Sequence, residues 1–166
     1  MAEQAEAETP AISCRSVWQV FGPDAGRRLA RALENAGGDS DVAASSLRAD
    51  GLIPAVQEAS FDVGRGELFV IMGLSGSGKS TLVRAIARLL DATMGAIEIE
   101  GENILTASKA RLIGLRRRKL GMVFQHFGLF PHMSVVENVA FPLKMQGKGR
   151  RDRLRRAHEV IELVGL

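Results

Sequence analysis

The stretch Leu68-Phe-Val-Ile-Met72-Gly73-Leu-Ser75-Gly76-Ser77-Gly78-Lys79-Ser80-Thr81-Leu-Val-Arg84 decides the fold class. Its first five residues are a continuous apolar run, the pattern of a strand buried on both faces of a parallel sheet. A Gly/Ser loop follows at once, and then Leu82, Ile86 and Leu89-Leu90 fall at helical spacing from Ser80 to Leu90. Between strand and helix, Gly73, four residues, Gly78, Lys79 and Ser80 fit the phosphate-binding loop pattern. Gly73, Gly76 and Gly78 let the backbone curl so that successive N–H groups converge on an anion, and the helix opening at Lys79 adds its own free N–H groups and positive dipole end. Lys79 supplies a mobile ammonium for the β- and γ-phosphates, and the Ser80 hydroxyl suits Mg²⁺. The candidate nucleotide-binding set is therefore Gly73, Ser75, Gly76, Ser77, Gly78, Lys79, Ser80 and Thr81. Two other readings exist. One is a surface Gly/Ser loop that matches by chance, which the flanking strand and helix oppose. The other is a dinucleotide fingerprint, which needs a small residue where Thr81 stands.

Working outward, Ile12 to Phe21 reads as a strand closed by Gly22-Pro23, with Trp18 assigned to the core. Residues 24–54 are rich in Ala, Arg, Asp and Gly, allow one short helix before Gly37-Gly38 and another from Ser40 to Leu47, and read as an insertion rather than core. Val56, Phe61 and Val63 make a short strand, Ala96 to Glu100 another, and Met122-Val-Phe124 a second buried one. Leu112 to Lys119 ends a helix on cations. Ser134 and Glu137 have capping-box spacing and open a helix that Pro142 is expected to bend or end. Arg150 to Val164 places Leu154, Ala157, Ile161 and Val164 on one helical face, with Gly165 at the C-cap.

The chain has 166 residues, one cysteine, and a formal net charge of +3. The apolar and charged fractions, 46% and 25%, exclude general disorder, and Cys14 alone excludes a disulfide framework. No apolar run approaches the length of a membrane span, and the start Met1 to Glu8 is acidic where a signal peptide is basic. Residues 1–10 read as a disordered tail. Residues 1–102 carry a net −6 and residues 103–166 a net +9. The basic half raises the possibility of a nucleic acid, but Arg116-Arg-Arg-Lys119 and Arg150 to Arg156 lack the interleaved aromatics of a nucleic-acid surface, and such runs usually mark solvated faces.

Phe69 to Arg84 resembles the Walker A region of ATP-binding cassette (ABC) transporter ATPases. Met122-Val-Phe-Gln125-His-Phe-Gly-Leu-Phe-Pro131-His-Met-Ser-Val-Val-Glu137-Asn-Val139 resembles the Q-loop of that family. Among its members the likeness runs to the ATPase subunits of glycine betaine/proline/choline importers, which also carry an insertion between the first two strands. The resemblance implies an α/β P-loop NTPase core, incomplete, with the start of the helical subdomain. Residues 11–125 are then the N-terminal part of the nucleotide-binding domain, and 126–166 the Q-loop and the beginning of that subdomain.

It also implies roles. ATP and Mg²⁺ are the expected ligands, and Lys79 and Gln125 the catalytic residues, with Ser80 and Gln125 toward the metal. Phe21 matches the aromatic on which adenine stacks; the alternative reading is a core ring. The apolar patch Phe127, Leu129, Phe130, Met133 and Val135 matches the groove for a membrane-spanning permease subunit, and alone is core as often as contact surface. His132 beside it carries no catalytic argument. A second ATPase subunit would complete the nucleotide sandwich, a solute-binding protein would take part indirectly, and the location would be peripheral on the cytoplasmic face of the inner membrane. After Gln125 the acidic residues are Glu137, Asp152, Glu159 and Glu162, and none follows an apolar strand as a Walker B carboxylate does. The Leu-Ser-Gly-Gly signature is also missing, so the sequence reads as the N-terminal part of a longer ATPase, exposing apolar surface and inactive alone. A P-loop kinase or GTPase is the rival enzyme class; it calls for a lid arginine cluster or an Asn-Lys-x-Asp guanine reader, and neither is present.

Overall fold

The computed structural model describes residues 9–124 and 128–166, which form two compact units divided between Ala107 and Ser108. The first contains β1 (Ile12–Phe21), α1 (Ala25–Asn35), α2 (Ser40–Ala49), β2 (Ile53–Val63), α3 (Lys79–Ile86), β3 (Met94–Ile99) and β4 (Glu102–Asn103). Its strands make one antiparallel sheet in the order β2-β1-β3-β4. The acidic start, residues 1–8, lies outside the described residues.

β1 is the most buried strand, and the residues that follow it in sequence cover one of its faces. On that face Trp18 and Val20 pack against Leu29 and Ala32 of α1, Ala43, Ala44 and Leu47 of α2, and Leu52. Residues 24–54, expected to lie outside the core, thus supply most of this cluster. The helices form where the sequence allowed them: Gly37 and Gly38, at φ 61° and 89°, end α1, and Asp39 Oδ1 accepts hydrogen bonds from the Asp41 and Val42 N–H groups at 2.9 and 3.0 Å to cap α2. Small alanines let the two helices close on the indole of Trp18, which is 1% exposed.

β2 is an edge strand and tolerates Pro54 for that reason. Its register with β1 runs Gln19↔Val56 and then Val20↔Pro54, so Ala55 is an extra residue without a partner on β1, a β-bulge. A second irregularity falls between Cys14↔Phe61 and Val17↔Ala59; there the Ser16 N–H donates to Ser60 Oγ at 2.8 Å.

The parallel strand expected at Leu68–Met72 is not formed. Leu68 and Met72 are 89% and 86% exposed, and no described strand lies beside the run. A strand draws its hydrogen bonds from neighbours, so apolar composition alone does not make one. Within the run Phe69 stacks its ring on Phe61 at 4.8 Å and Ile71 is half-buried. Met122–Phe124 is likewise no strand, with Val123 99% exposed.

The second unit contains α4 (Lys109–Arg118), α5 (Val135–Met145) and α6 (Arg150–Leu163). The Ser108 hydroxyl caps α4 through the Arg111 N–H, and the Ser134–Glu137 capping box opens α5. Pro142 does not end α5, which continues to Met145; its missing N–H leaves the Asn138 carbonyl without a helical donor. α5 and α6 form a hairpin closed on the buried small residues Ala140 and Ala157, and Gly165 at φ 77° follows α6. No helix among the described residues is long and apolar enough to cross a membrane.

Candidate nucleotide-binding site

The loop before α3 is shaped by glycines and fastened by one side chain. Gly76 and Gly78 take φ of 80° and 87°, where only glycine is unstrained. The Ser77 N–H donates to the Leu74 carbonyl at 3.2 Å, closing a turn. Lys79 then reaches back over the loop, and its Nζ donates to the carbonyls of Gly73 at 2.8 Å and Leu74 at 2.6 Å and to Ser77 Oγ at 3.3 Å. The ammonium therefore sits inside the curl of the loop rather than in open solvent.

Gly78 fixes where the loop meets the sheet. It is the N-cap residue of α3, and a Cβ placed on it would overlap the carbonyl oxygen of Ala55, the bulge residue of β2. No side chain caps α3, so its first-turn N–H groups remain for an anion. Leu82 and Ala85, both buried, hold the helix down. At its other end the Arg88 guanidinium donates to the Ile104 and Leu105 carbonyls at 3.1 and 3.2 Å and pairs with Asp91. Between Leu68 and Leu90 there is no carboxylate, while Lys79, Arg84 and Arg88 are cationic. The local field favours a polyanion.

Phe21 ends β1 opposite Ile53, two residues along β2 from Ala55. That is roughly 7 Å of strand. The aromatic and the loop are thus set out from the same end of β2, and the ring is 40% exposed, available for stacking and not part of the core. Ser80 and Ser75 are exposed and Thr81 half-buried at the start of α3 and in the loop. These positions fit a phosphate chain along the loop, with the Ser80 hydroxyl in the first turn as an oxygen ligand suited to Mg²⁺; no group of three or more acidic, histidine or cysteine side chains that could hold a metal exists among the described residues. Gln125, with His126 and Phe127, lies outside the described residues.

Sequence reasoning passed over three residues, two near the loop and one in the second unit. Ala55 was signalled by the preceding Pro54, a residue that marks an edge or a bulge. Gln19 pairs with Val56, whose Cγ2 lies 3.7 Å from the position of a Cβ on Gly78, so it faces the loop side of the sheet. It is 4% exposed, with Oε1 unbonded among the described residues. Asn138 organises the segment after Gln125: its Oδ1 accepts from the Phe130 N–H at 2.8 Å, and its Nδ2 donates to the carbonyls of Phe130, Met133 and Ser134 at 3.2, 3.1 and 3.0 Å. Phe130 leans on Phe141 at 4.5 Å and meets His132 edge-on, while Leu129 and Val135 remain exposed. The Glu137 carboxyl is held below its usual range by the Ser134 N–H and hydroxyl.

Residues 56–166 match the ABC transporter family. The trimethylamine N-oxide transport system ATP-binding protein TmoW of Ruegeria pomeroyi is 54% identical over 95% of the chain and 45% of its own length. The glycine betaine transport ATP-binding protein OpuAA of Bacillus subtilis is 43% identical over 93% of the chain and 36% of its length. The chain thus spans less than half the length of these relatives. Among solved structures, the dimeric post-hydrolysis state of the ATP-binding cassette MJ0796, bound to ADP and Pi, superposes with a TM-score of 0.70 at 27% identity, over 93% of this chain and 57% of that one.

Proposed function

The chain belongs to the ABC transporter family, and on that premise we propose that it is the ATP-binding portion of an importer ATPase for small compatible solutes of the glycine betaine and trimethylamine N-oxide kind. The observation that carries the reading is the loop 73–81, seated on β2 through Gly78 and curled around Lys79, beside the exposed ring of Phe21. Residues 11–125 act as the N-terminal part of the nucleotide-binding domain, with 24–54 inserted, and 126–166 begin the helical subdomain.

In this reading Phe21 stacks on adenine, and the N–H groups from Ser75 to Thr81 surround the β-phosphate. Lys79 moves from the Gly73 and Leu74 carbonyls toward the β- and γ-oxygens, a short swing because those acceptors line the same loop. Ser80 and Gln125 hold Mg²⁺, which when bound neutralises phosphate charge. Attack by water requires a carboxylate that the loop region does not provide, so hydrolysis depends on what the relatives carry beyond the matched residues. The full subunit pairs with a second copy, meets a membrane permease through the segment around Gln125 to Val135, works indirectly with a solute-binding protein, and sits peripherally on the cytoplasmic face of the membrane. Similarity to TmoW and OpuAA supports the solute class.

The test joins residues 1–166 to the corresponding C-terminal remainder of the Ruegeria pomeroyi relative. The chimera is expected to hydrolyse Mg-ATP and its Lys79→Ala form to lose at least about a hundredfold in rate, since charge stabilisation in a closed phosphate site is worth several kcal/mol. Equal turnover with and without Lys79 rejects the site. Assembled with a permease and binding protein, the chimera is expected to drive uptake of glycine betaine or trimethylamine N-oxide.

A further inference from the structure

The helical hairpin α1–α2 carries a cleft that the nucleotide reading leaves unused. Its volume is about 370 Å³, and it is lined by Arg28, Arg31 and Asn35 of α1 with Ser46 and Asp50 facing them. Arg28, Arg31 and Asn35 stand three and four residues apart, one above another on a single helical face. The Arg28 guanidinium is held in place: its Nη2 meets Asp50 Oδ2 at 2.9 Å and donates to the Asp50 carbonyl at 3.3 Å. That contact uses the one carboxylate of the cleft. Arg31, a turn further along, has no acidic partner among the described residues, and the Asn35 amide and Ser46 hydroxyl beside it add neutral donors.

We propose that this cleft is an oxyanion site, taking inorganic phosphate through Arg31 with Asn35 and Ser46, and with Arg28 as a fixed cation at its rim. A guanidinium beside an amide and a hydroxyl matches a tetrahedral anion that accepts several hydrogen bonds at once. The one anionic group already present cancels one of the two arginines and leaves the cleft a net positive charge. The hairpin grows directly from Phe21-Gly22 and returns at Leu52-Ile53, next to the ring that the proposed function gives to adenine. The proposal is independent of the solute reading.

Inorganic phosphate also binds phosphate loops, so the experiment uses the full chain in a Lys79→Ala background, titrated with inorganic phosphate at low and constant ionic strength by calorimetry. One remaining site is expected, with Arg31→Gln weakening it about tenfold or more, as loss of a charge-assisted hydrogen bond predicts. Arg48→Gln removes the same charge from α2 outside the cleft and is expected to leave binding within about twofold. Asn35→Ala, an exposed change that keeps all charges, is expected to weaken it by a smaller factor. No site in the Lys79→Ala background overturns the proposal, and so does equal weakening by Arg31→Gln and Arg48→Gln, which would mark a diffuse field instead of a site.

Discussion

Gly78 meets two demands that no residue with a side chain meets, a left-handed φ of 87° and main-chain contact with the Ala55 carbonyl. Gly78→Ala is expected to cost more than about 2 kcal/mol and to abolish nucleotide binding although Lys79 is intact, because strain and overlap both fall at the loop's seat. Thermal melts and nucleotide titration check both halves. Phe21→Ala is expected to weaken Mg-ATP roughly tenfold while Phe21→Tyr keeps it, since an aromatic face adds about 1 kcal/mol beyond its area; unchanged affinity in the alanine form would remove Phe21 from the site. Cys14 is fully buried in the sheet, and burial pushes its thiol up from 9.0 to about 11. The folded state therefore prefers the neutral thiol. Its contribution is complete below pH 9 and is lost as pH rises toward 11, and Cys14→Ala is expected to flatten that alkaline fall.

At the scale of elements, local chemistry was legible and pairing was not. Ser134 and Glu137 announced the start of α5 by spacing alone, because a capping box is satisfied within four residues. The apolar run Leu68–Met72 looked like a strand on the same kind of evidence and is not one, since a strand also needs neighbours to share its hydrogen bonds and no described strand lies beside this run. The insertion was misjudged for a different reason: Ala32, Ala43 and Ala44 carry little hydrophobic signal singly, yet they let α1 and α2 close over Trp18. Trp18→Ala is accordingly expected to cost about 3–5 kcal/mol and Asp39→Ala about 1 kcal/mol, the one a core cavity and the other a lost cap, both read from denaturant melts. Glu137 adds a pH dependence. Its depressed carboxyl stabilises α5 above its ordinary value of 4.5, and that contribution disappears as the pH falls through the depressed value. Glu137→Gln should therefore melt α5 with less acid sensitivity, followed by helical signal.

Over the whole molecule, the legible part of the candidate site was its chemistry and the hidden part its mounting. The loop motif could be read from Gly73 to Thr81, while the bulge that positions it could not, because a bulge is a mismatch between two strands and belongs to neither sequence alone. Exposed Leu68, Val70, Met72 and Val123 give the chain apolar surface, and Leu68→Ser with Val123→Ser is expected to lower its concentration-dependent light scattering without shifting nucleotide affinity. The seat of Gly78 has a last consequence for how variation is tolerated. The atom it rests on is a main-chain oxygen, which every residue at position 55 supplies. A saturation scan for nucleotide binding should therefore show position 78 closed to every substitution and position 55 open to most small and medium side chains. Two halves of one joint would look, in that scan, like an essential residue and an indifferent one.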